Sequence, residues 1–312
     1  MRQRFAPSPT GDLHLGGAYI ALAAFLRARI RGDAFVVRVE DLDPPRVVPG
    51  ATERILDDLR WLGLDWDEGP RVGGPRAPYS QSLRGALYDR AIESLGALVY
   101  PCTCTRAEIV ASAPHLGDEG PRYPGTCRDP RRRRSDRPAA LRLRVPEGVT
   151  TFRDEIHGDQ RQDVSEVVGD FVLRRADGVA SYQLAVVVDD LAMSIDEVVR
   201  GDDLLSSTAR QVLLFELLGS PGPRWVHLPL VVGPDGNRLA KRHQGMFRGT
   251  TVAELREAHR SPEEILGALG AALGVIAEPR PMGALALIAA AGQRIPRRET
   301  PFPVPPHWLQ AR

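Results

Sequence analysis

Several features that define large classes of protein are scarce or missing in this sequence. No apolar run approaches the roughly 18 residues that a membrane-spanning helix needs, and the proline-rich segment after Arg4 does not resemble a signal peptide, so we expect a cytoplasmic protein with no membrane partner. The net charge of +1 excludes a globally basic nucleic-acid binder and limits contact with a polyanion to a local patch. Three cysteines, an odd number, argue against a disulfide framework and for a reducing compartment.

Lysine is almost absent. Of the 41 basic residues, Lys241 is the single lysine. Genomic base composition is an ordinary explanation for the bias as a whole. Arginine is a planar fork and lysine a compact charge, however, so a site built for one does not accept the other. Lys241 is therefore a candidate functional residue.

The remaining composition is that of a globular protein. With 312 residues, 43% of them hydrophobic and 26% charged, the chain can bury a full core and is expected to form two units. Apolar periodicity predicts an alternation of strands and helices. The predicted strands are 34–39, 184–188 and 228–232, and the predicted helices are 52–62, 82–95, 207–218 and much of 251–294. The proline-rich end from Pro296 is expected to be a loosely packed tail.

A turn rich in proline and glycine joins a short apolar run to a helix near the N-terminus. Pro7 and Pro9 end the run, and Gly16 and Gly17 open a segment whose apolar residues recur at helical spacing. The first free N–H groups of such a helix can bind an anion, and His14 adds a donor. The segment matches neither the Walker pattern nor the dinucleotide fingerprint, so a tight structural corner with a surface histidine is an equal alternative.

A second cluster of polar residues follows the predicted strand 34–39. Ligands of open α/β sheets bind beyond the carboxyl ends of the strands, so Glu40, Asp41 and Asp43 can face the same crevice as His14. Asp41 and Asp43 can instead simply cap the next turn. Two cations for carboxylates, a carboxylate for an ammonium group, and phosphate-binding groups together suit an acidic amino acid beside a nucleotide. The crevice set is Arg4, Ser8, His14, Glu40, Tyr182, Arg200 and Lys241.

The segment between about residues 100 and 170 differs from its surroundings and is interpreted as an insertion. It contains all three cysteines, and between residues 128 and 144 it has eight arginines against two aspartates. Cys102-x-Cys104 followed by Tyr123-x3-Cys127 has the clustering of a closed, tetrahedral zinc site, which would be structural. Three free thiols are the alternative.

Five segments in order resemble the class I aminoacyl-tRNA synthetases in their glutamate-specific form. The first, Pro7-x-Pro9-x-Gly11-x2-His14-x-Gly16, is similar to the first signature of that family. The second signature is represented by a degenerate form, RLAKR, at 238–242. The similarity covers roughly residues 3 to 245, and its other segments are 37–43, 182–190 and 199–201.

Within this family, three features resemble the short paralogues that attach glutamate to queuosine in the anticodon of tRNA-Asp. They are the cysteine and tyrosine cluster, Gly17 in place of the second histidine of the signature, and the short C-terminal part. Only 71 residues follow Lys241 (312 minus 241). We expect these to be too few for the helical anticodon-binding domain of full glutamyl-tRNA synthetases.

The resemblance implies an α/β protein: a Rossmann-like, parallel-sheet catalytic domain with a zinc-binding insertion and a short helical C-terminal region. We expect the two halves of the catalytic domain at 1–99 and 171–245. The insertion with its zinc-binding subdomain would occupy 100–170, and the helical C-terminal region, without an anticodon-binding domain, would occupy 246–312.

The resemblance also implies a role for each matched residue. Glutamate would be bound by Arg4, Ser8, Glu40, Tyr182 and Arg200, with Glu40 on its ammonium group. ATP, accompanied by Mg²⁺, would be bound by His14, Gly16, Gly17 and Lys241, of which His14 and Lys241 would be catalytic. One structural Zn²⁺ per chain would be held by Cys102, Cys104, Tyr123 and Cys127. A monomer would form glutamyl adenylate without tRNA and then transfer glutamate to queuosine-containing tRNA-Asp.

Two other functions stay open at this point. One is a truncated glutamyl-tRNA synthetase that charges the 3′ end of a tRNA. The other is a catalytically silent paralogue that binds tRNA or a protein partner, because Arg238 and Ala240 replace the lysine and serine usual in the second signature.

The lone lysine leads to a prediction. Lys241→Arg keeps the charge but changes reach, donor geometry and hydration. If Lys241 contacts the triphosphate mainly in the transition state, we expect adenylate formation to slow by on the order of 10²-fold with a smaller loss of ATP affinity. Glutamate-dependent exchange between pyrophosphate and ATP measures this, with Arg242→Lys as the mild control. A near-normal rate for Lys241→Arg would contradict the assignment.

Overall fold

The structure, a computed structural model, describes residues 1–112, 116–117, 120–233, 235, 239, 247–293 and 300–311. It contains two compact units. The first unit comprises Met1–Ser80, Ser194–Leu204 and Pro223–Arg312, and the second comprises Gln81–Met193 and Leu205–Gly222. The domain boundaries expected at residues 99, 170 and 245 stay a prediction. Among the described helices, none is both long and apolar enough to cross a membrane.

The strands of the described residues are short. They are β1 (Arg2–Phe5), β2 (Ala34–Val37), β3 (Val99–Cys102), β4 (Leu116–Gly117), β5 (Gly120–Pro121), β6 (Ala140–Leu143), β7 (Val149–Asp154), β8 (Gly158–Asp163), β9 (Val172–Arg174), β10 (Glu197–Gly201), β11 (Arg224–Leu228), β12 (Val231–Val232), β13 (Phe247–Arg248), β14 (Phe302–Pro303) and β15 (Gln310–Ala311). The α-helices are α1 (Leu15–Arg31), α2 (Ala51–Trp61), α3 (Gly85–Ser94), α4 (Arg106–Ser112), α5 (Val164–Val167), α6 (Tyr182–Ala192), α7 (Thr208–Leu217), α8 (Val252–Glu257), α9 (Pro262–Ala272) and α10 (Ala284–Ala291).

A parallel sheet forms the centre of the first unit. β1 pairs with β2 on one side and with β10 on the other, and β11 pairs with β10, all in parallel. Helix α1 packs on β1, β2 and β10. This arrangement confirms the predicted α/β fold with a parallel sheet, and it places the carboxyl ends of four strands at one edge.

A buried ion pair joins α1 to the sheet. Arg27 and Glu197 are both fully buried, with Arg27 Nε 2.7 Å from Glu197 Oε1 and Nη2 3.1 Å from Oε2. Burial by itself would raise the pKa of Glu197, but hydrogen bonds from Arg27 and Arg31 lower it below its ordinary value. The pair marks the face of β10 that is turned toward α1, because side chains alternate between the two faces of a strand.

The second unit contains a three-stranded antiparallel sheet, β3-β6-β9, and the antiparallel hairpin β7-β8. Helix α6 packs against α3 and α7. The carboxylate of Asp189 on α6 is fully buried and accepts hydrogen bonds from Gln81 Nε2 (2.7 Å), Arg84 Nε (2.6 Å) and the Tyr88 hydroxyl (3.0 Å).

The predicted strand 184–188 is wrong, because these residues belong to α6. The Ser181 side chain caps the helix by accepting from the Leu184 N–H (3.3 Å). Every residue from Leu184 to Asp190 is buried. Because no side of the helix is exposed here, residues 184–188 form a continuous apolar run without helical periodicity. Such a run does not distinguish a buried strand from a buried helix.

Two further expectations need correction. The predicted strand 228–232 is split into the end of β11 and β12, with Pro229, which has no N–H to donate, between them. The proline-rich C-terminal part was expected to be loosely packed, but in 300–311 Val304 and Trp308 are buried, and β14 and β15 pair with β12 and β13. The predicted helices correspond to α2, α3, α7 and α8 to α10 within a few residues.

Candidate functional site

Arg4 and Arg200 lie on neighbouring strands at the centre of the parallel sheet. The register pairs Gln3 of β1 with Glu197 of β10, and Glu197 faces α1. Because side chains alternate, Arg4 and Arg200 both lie on the opposite face. They are 4% and 5% exposed, and Arg4 Nη1 donates to the Val199 carbonyl oxygen (3.3 Å). The structure thus brings two predicted carboxylate-binding cations to one face of the sheet.

The guanidinium of Arg200 is held by groups on three sides. Its Nε donates to His227 Nε2 (2.9 Å) and its Nη2 to the Leu204 carbonyl oxygen (3.4 Å). The ring of Trp225 lies 5.0 Å below it and stacks on the ring of His227. Arginine has no acceptor, so His227 must present an unprotonated Nε2 to it.

Glu40 and Ser8 lie in the loops that follow β2 and β1. The Glu40 N–H donates to the Pro7 carbonyl oxygen (2.9 Å), which ties these two loops together. Arg38 Nη2 donates to Glu40 Oε1 (3.0 Å), while Ser8 is exposed. The first unit therefore gathers Arg4, Ser8, Glu40 and Arg200 at the carboxyl ends of three adjacent strands.

His14 occupies the N-cap of α1. Its Nδ1 accepts from the Gly17 N–H (3.0 Å), so this N–H is not free for an anion as the sequence suggested. The ring proton then resides on Nε2, and the exposed His14 can donate from that atom. A Cβ on Gly16 would lie 3.1 Å from His14 Nδ1, and one on Gly17 would lie 2.9 Å from Leu13 Cδ1.

The roles of two further predicted site residues stay predictions. Tyr182 belongs to the second unit, where it is the first residue of α6 and is 39% exposed. Lys241 lies outside the described residues, as do the other members of the second signature, 238–242 except Leu239.

The predicted metal ligands come together in the second unit. The sulfur atoms of Cys102, Cys104 and Cys127 lie within 4.8 Å of one another. Cys104 Sγ is 3.5 Å from Cys127 Sγ, and the Tyr123 hydroxyl lies 3.3 Å from Cys102 Sγ and 3.8 Å from Cys104 Sγ. Zinc–sulfur bonds of about 2.3 Å in a tetrahedron place ligand atoms roughly 3.8 Å apart. The spacing and the donors fit a tetrahedral metal ion.

The thiols of the cluster differ in acidity. Burial and the hydrogen bond to Cys127 raise the pKa of Cys104 to about 12. Burial also disfavours the Cys127 thiolate, but hydrogen bonds from Thr103, Tyr123 and the other two cysteines outweigh it and lower the pKa of Cys127 to about 7. A bound cation deprotonates a coordinating thiol, so a metal would favour the ionised form of all three.

Sequence comparison identifies the family. Residues 1–274 match the family described as tRNA synthetases class I (E and Q), catalytic domain. The chain belongs to this family. It is therefore a ligase of the class I aminoacyl-tRNA synthetases, as the resemblance implied.

Individual relatives of this family agree with that result. The chain is 49% identical over 312 residues to the glutamyl-Q tRNA(Asp) synthetase of Symbiobacterium thermophilum, covering 96% of this chain and 95% of that protein. It is 50% identical over 288 residues to the glutamyl-Q tRNA(Asp) synthetase of Nocardia farcinica, covering 89% and 86%. A glutamate tRNA ligase from Elizabethkingia meningosepticum in complex with its amino acid superimposes with a TM-score of 0.81 at 29% identity, over 99% of this chain and 68% of that one. The recognition of the short paralogue from the sequence is confirmed.

Sequence reasoning missed His227 and Arg38, which contact two of the proposed glutamate-binding residues of this synthetase. Arg38 precedes Glu40 by two residues at the end of the predicted strand 34–39, and this closeness in sequence could have indicated the pair. No local signal connects His227 to Arg200, because the two residues meet only through the pairing of β10 with β11.

The cluster geometry predicts one zinc ion per chain. Cys127→Ser should reduce zinc well below one equivalent, whereas Tyr123→Phe removes a single oxygen and should weaken binding while keeping a stoichiometry near one at saturating zinc. Elemental analysis and competition with a chelator measure the two effects. Metal-free protein after purification without chelator would contradict the zinc site, and equal zinc affinity of Tyr123→Phe and wild type would remove Tyr123 from the ligand set.

Proposed function

We propose that this synthetase activates glutamate with ATP in the absence of tRNA and transfers it to queuosine in the anticodon of tRNA-Asp. The observation that carries the proposal is the identity of about half of all positions to two glutamyl-Q tRNA(Asp) synthetases along most of their length. The geometry of the first unit supports it, since groups suited to the three charges of glutamate lie together.

Glutamate recognition would rest on complementary charge. A buried guanidinium binds a carboxylate through two parallel hydrogen bonds, and Arg4 and Arg200 offer this on one sheet face. Glu40, at the end of the neighbouring strand, supplies the carboxylate for the substrate ammonium group. Ser8 and Tyr182 would also bind glutamate, as the family resemblance implies.

The first step is formation of an adenylate. A glutamate carboxylate oxygen attacks the α-phosphorus of ATP, and the bond from that phosphorus to the bridging oxygen breaks, so that pyrophosphate leaves. Mg²⁺ bound to the triphosphate supplies positive charge that offsets the charge of the leaving group. His14 Nε2–H and the Lys241 ammonium group would donate to phosphate oxygens near Gly16 and Gly17. Orientation and electrostatic stabilisation suffice, without a covalent enzyme intermediate.

The second step is acyl transfer. A hydroxyl oxygen of queuosine attacks the activated carbonyl carbon, an ester bond forms, and AMP leaves. Zinc at the cysteine cluster would stabilise the second unit and take no part in either bond change, because four protein ligands leave no open position.

Glutamate-dependent exchange between pyrophosphate and ATP tests the activation step. We expect exchange with folded, metal-loaded protein in the absence of tRNA, since all the proposed ATP and glutamate groups belong to this chain. Glu40→Gln keeps the size of the side chain but removes its charge and should raise the KM for glutamate strongly. Absence of exchange in the wild type, with or without tRNA, would favour the catalytically silent paralogue; exchange that requires tRNA would contradict the tRNA-independent step.

The acceptor needs its own comparison, because a glutamate tRNA ligase has the same fold. Labelled glutamate should be transferred to queuosine-containing tRNA-Asp and not to queuosine-free tRNA-Asp. Removal of the 3′-terminal adenosine should leave this transfer intact. Loss of transfer on that truncation would instead show charging of the 3′ end.

His227 is predicted to position Arg200 for the substrate. His227→Phe keeps a stacked ring on Trp225 but removes the acceptor for Arg200 Nε, and the loss of a hydrogen bond to a buried charge typically costs a factor of roughly 10 to 100. We expect the KM for glutamate to rise by about that factor, with a smaller change in the KM for ATP. His227→Gln, which retains an acceptor, should recover part of the loss. An unchanged glutamate KM in His227→Phe would contradict the role.

A further inference from the structure

We propose that a loop on the cysteine cluster, residues 128–137, binds the phosphate backbone of the RNA substrate, and that metal binding at the cluster orders this surface. This inference rests on the proposed function for the identity of the RNA. It concerns residues of the second unit to which no role in binding glutamate or ATP has been given.

The loop carries a local excess of positive charge in a protein whose net charge is +1. It contains six arginines and two aspartates, Asp129 and Asp136. Three of the arginines are compensated within the unit: Arg128 by the buried Asp170 through two hydrogen bonds, Arg131 by Asp129 and Arg137 by Glu108. The loop is therefore partly built from internal ion pairs.

Two arginines remain available to a ligand. Arg132 is exposed and has no ion pair within the described part of the chain, and Arg134, whose side chain is 54% exposed, approaches Glu108 only to 3.6 Å. Guanidinium groups bind phosphate through planar, paired hydrogen bonds. A charge that is exposed and weakly paired can release counterions when it meets a polyanion.

The same two arginines line a groove of about 270 Å³. The hydroxyl-bearing residues Thr103, Ser112 and Thr126 also line it, together with Glu108, Ile109 and the proposed metal ligand Cys104. The volume lies just under the roughly 300–1,000 Å³ of pockets for drug-sized ligands, which leaves room for a group as small as one phosphodiester. The negative charge of Glu108 would repel an anion. Its carboxylate, however, accepts hydrogen bonds from the Thr105 N–H (2.8 Å) and from Arg137 Nη1 (3.1 Å), which offset that charge.

Hydrogen bonds connect the loop directly to the proposed metal ligands. Arg133 Nε donates to the Cys127 carbonyl oxygen (2.9 Å), and the Arg134 N–H donates to Thr103 Oγ1 (2.9 Å). Thr103 lies between Cys102 and Cys104, and its hydroxyl is 3.9 Å from Cys127 Sγ. A metal that holds the cysteines in place therefore also restrains the backbone of the loop that carries Arg132 and Arg134.

The salt dependence of tRNA-Asp binding to the full, zinc-loaded chain tests the surface. Each lost phosphate contact reduces the slope of log K against log salt concentration by roughly 0.7 to 0.9. We expect Arg132→Ala and Arg134→Ala each to lower that slope by this amount and to weaken binding about tenfold at fixed salt. Arg132→Lys should retain the slope while losing part of the affinity, because the charge stays and the planar fork is lost.

Arg153→Ala is the matched control. Arg153 belongs to the same unit, its side chain is 79% exposed, and it pairs with Asp159 (3.1 Å), so the substitution changes the net charge equally but lies on the hairpin β7-β8. The proposal would be overturned if Arg132→Ala and Arg134→Ala bound tRNA-Asp with the same affinity and the same salt slope as Arg153→Ala. Competition at equal ionic strength tests the assignment to RNA. That assignment would be overturned if poly-glutamate or inorganic phosphate displaced labelled tRNA as effectively as unlabelled tRNA does.

Zinc removal and readdition test the coupling. In protein stripped of metal by a chelator, the slope of log K against log salt concentration should fall as far as in the double variant Arg132→Ala/Arg134→Ala. Added zinc should restore the wild-type slope. An apo protein that binds tRNA-Asp with the zinc-loaded slope would overturn the metal-dependent part. Glutamate-dependent exchange without tRNA should be normal in all arginine variants. Failure of the proposed function would appear as absent exchange or absent transfer in the wild type, independently of these slopes.

Discussion

Parallel pairing of β1 with β2 and β10 is the constraint on which the candidate site depends. It brings the loop after β1, the loop after β2 and the end of β10 to one edge, although they are separated by up to about 190 residues of chain. The side-chain alternation of the strands then divides the charges. Glu197 meets Arg27 beneath α1, and Arg4 and Arg200 lie on the other face, where a substrate can reach the strand ends.

Buried charge has different roles on the two faces of this sheet. Arg27 and Glu197 form a buried ion pair to which Arg31 also contributes, and breaking such a buried pair typically costs about 3–5 kcal/mol. Arg200 is instead oriented by a neutral imidazole, a carbonyl oxygen and an aromatic ring. These three groups orient the guanidinium without adding negative charge of their own. This arrangement suits a group that must bind an external carboxylate.

In the second unit, Cys102 and Cys127 are buried together with Tyr100 and Tyr123. The guanidinium of Arg142 lies over the ring of Tyr123, 3.9 Å from its centroid, in a cation–π contact. Asp170 accepts hydrogen bonds from Arg128 and Tyr100. A metal bound by the four proposed ligands would add its binding free energy to the stability of this part of the unit. The loop of residues 128–137 is hydrogen-bonded to the cluster through Arg133 and Arg134. These bonds explain how an exposed, positively charged segment can keep a defined shape.

The sequence by itself determined the family and the parallel α/β class, and it pointed to the four residues that the structure brings together as candidate metal ligands, since these depend on motifs and spacings that are local in the chain. The positions of Arg4, Glu40 and Arg200 at strand ends could also be predicted, because strand boundaries follow apolar runs. Tertiary structure alone decided that residues 184–188 are helical, since burial on all sides erases the periodicity that separates helix from strand. It likewise decided that His227 contacts Arg200, because a hydrogen bond between residues 27 positions apart depends on the pairing of two strands and leaves no pattern within either one.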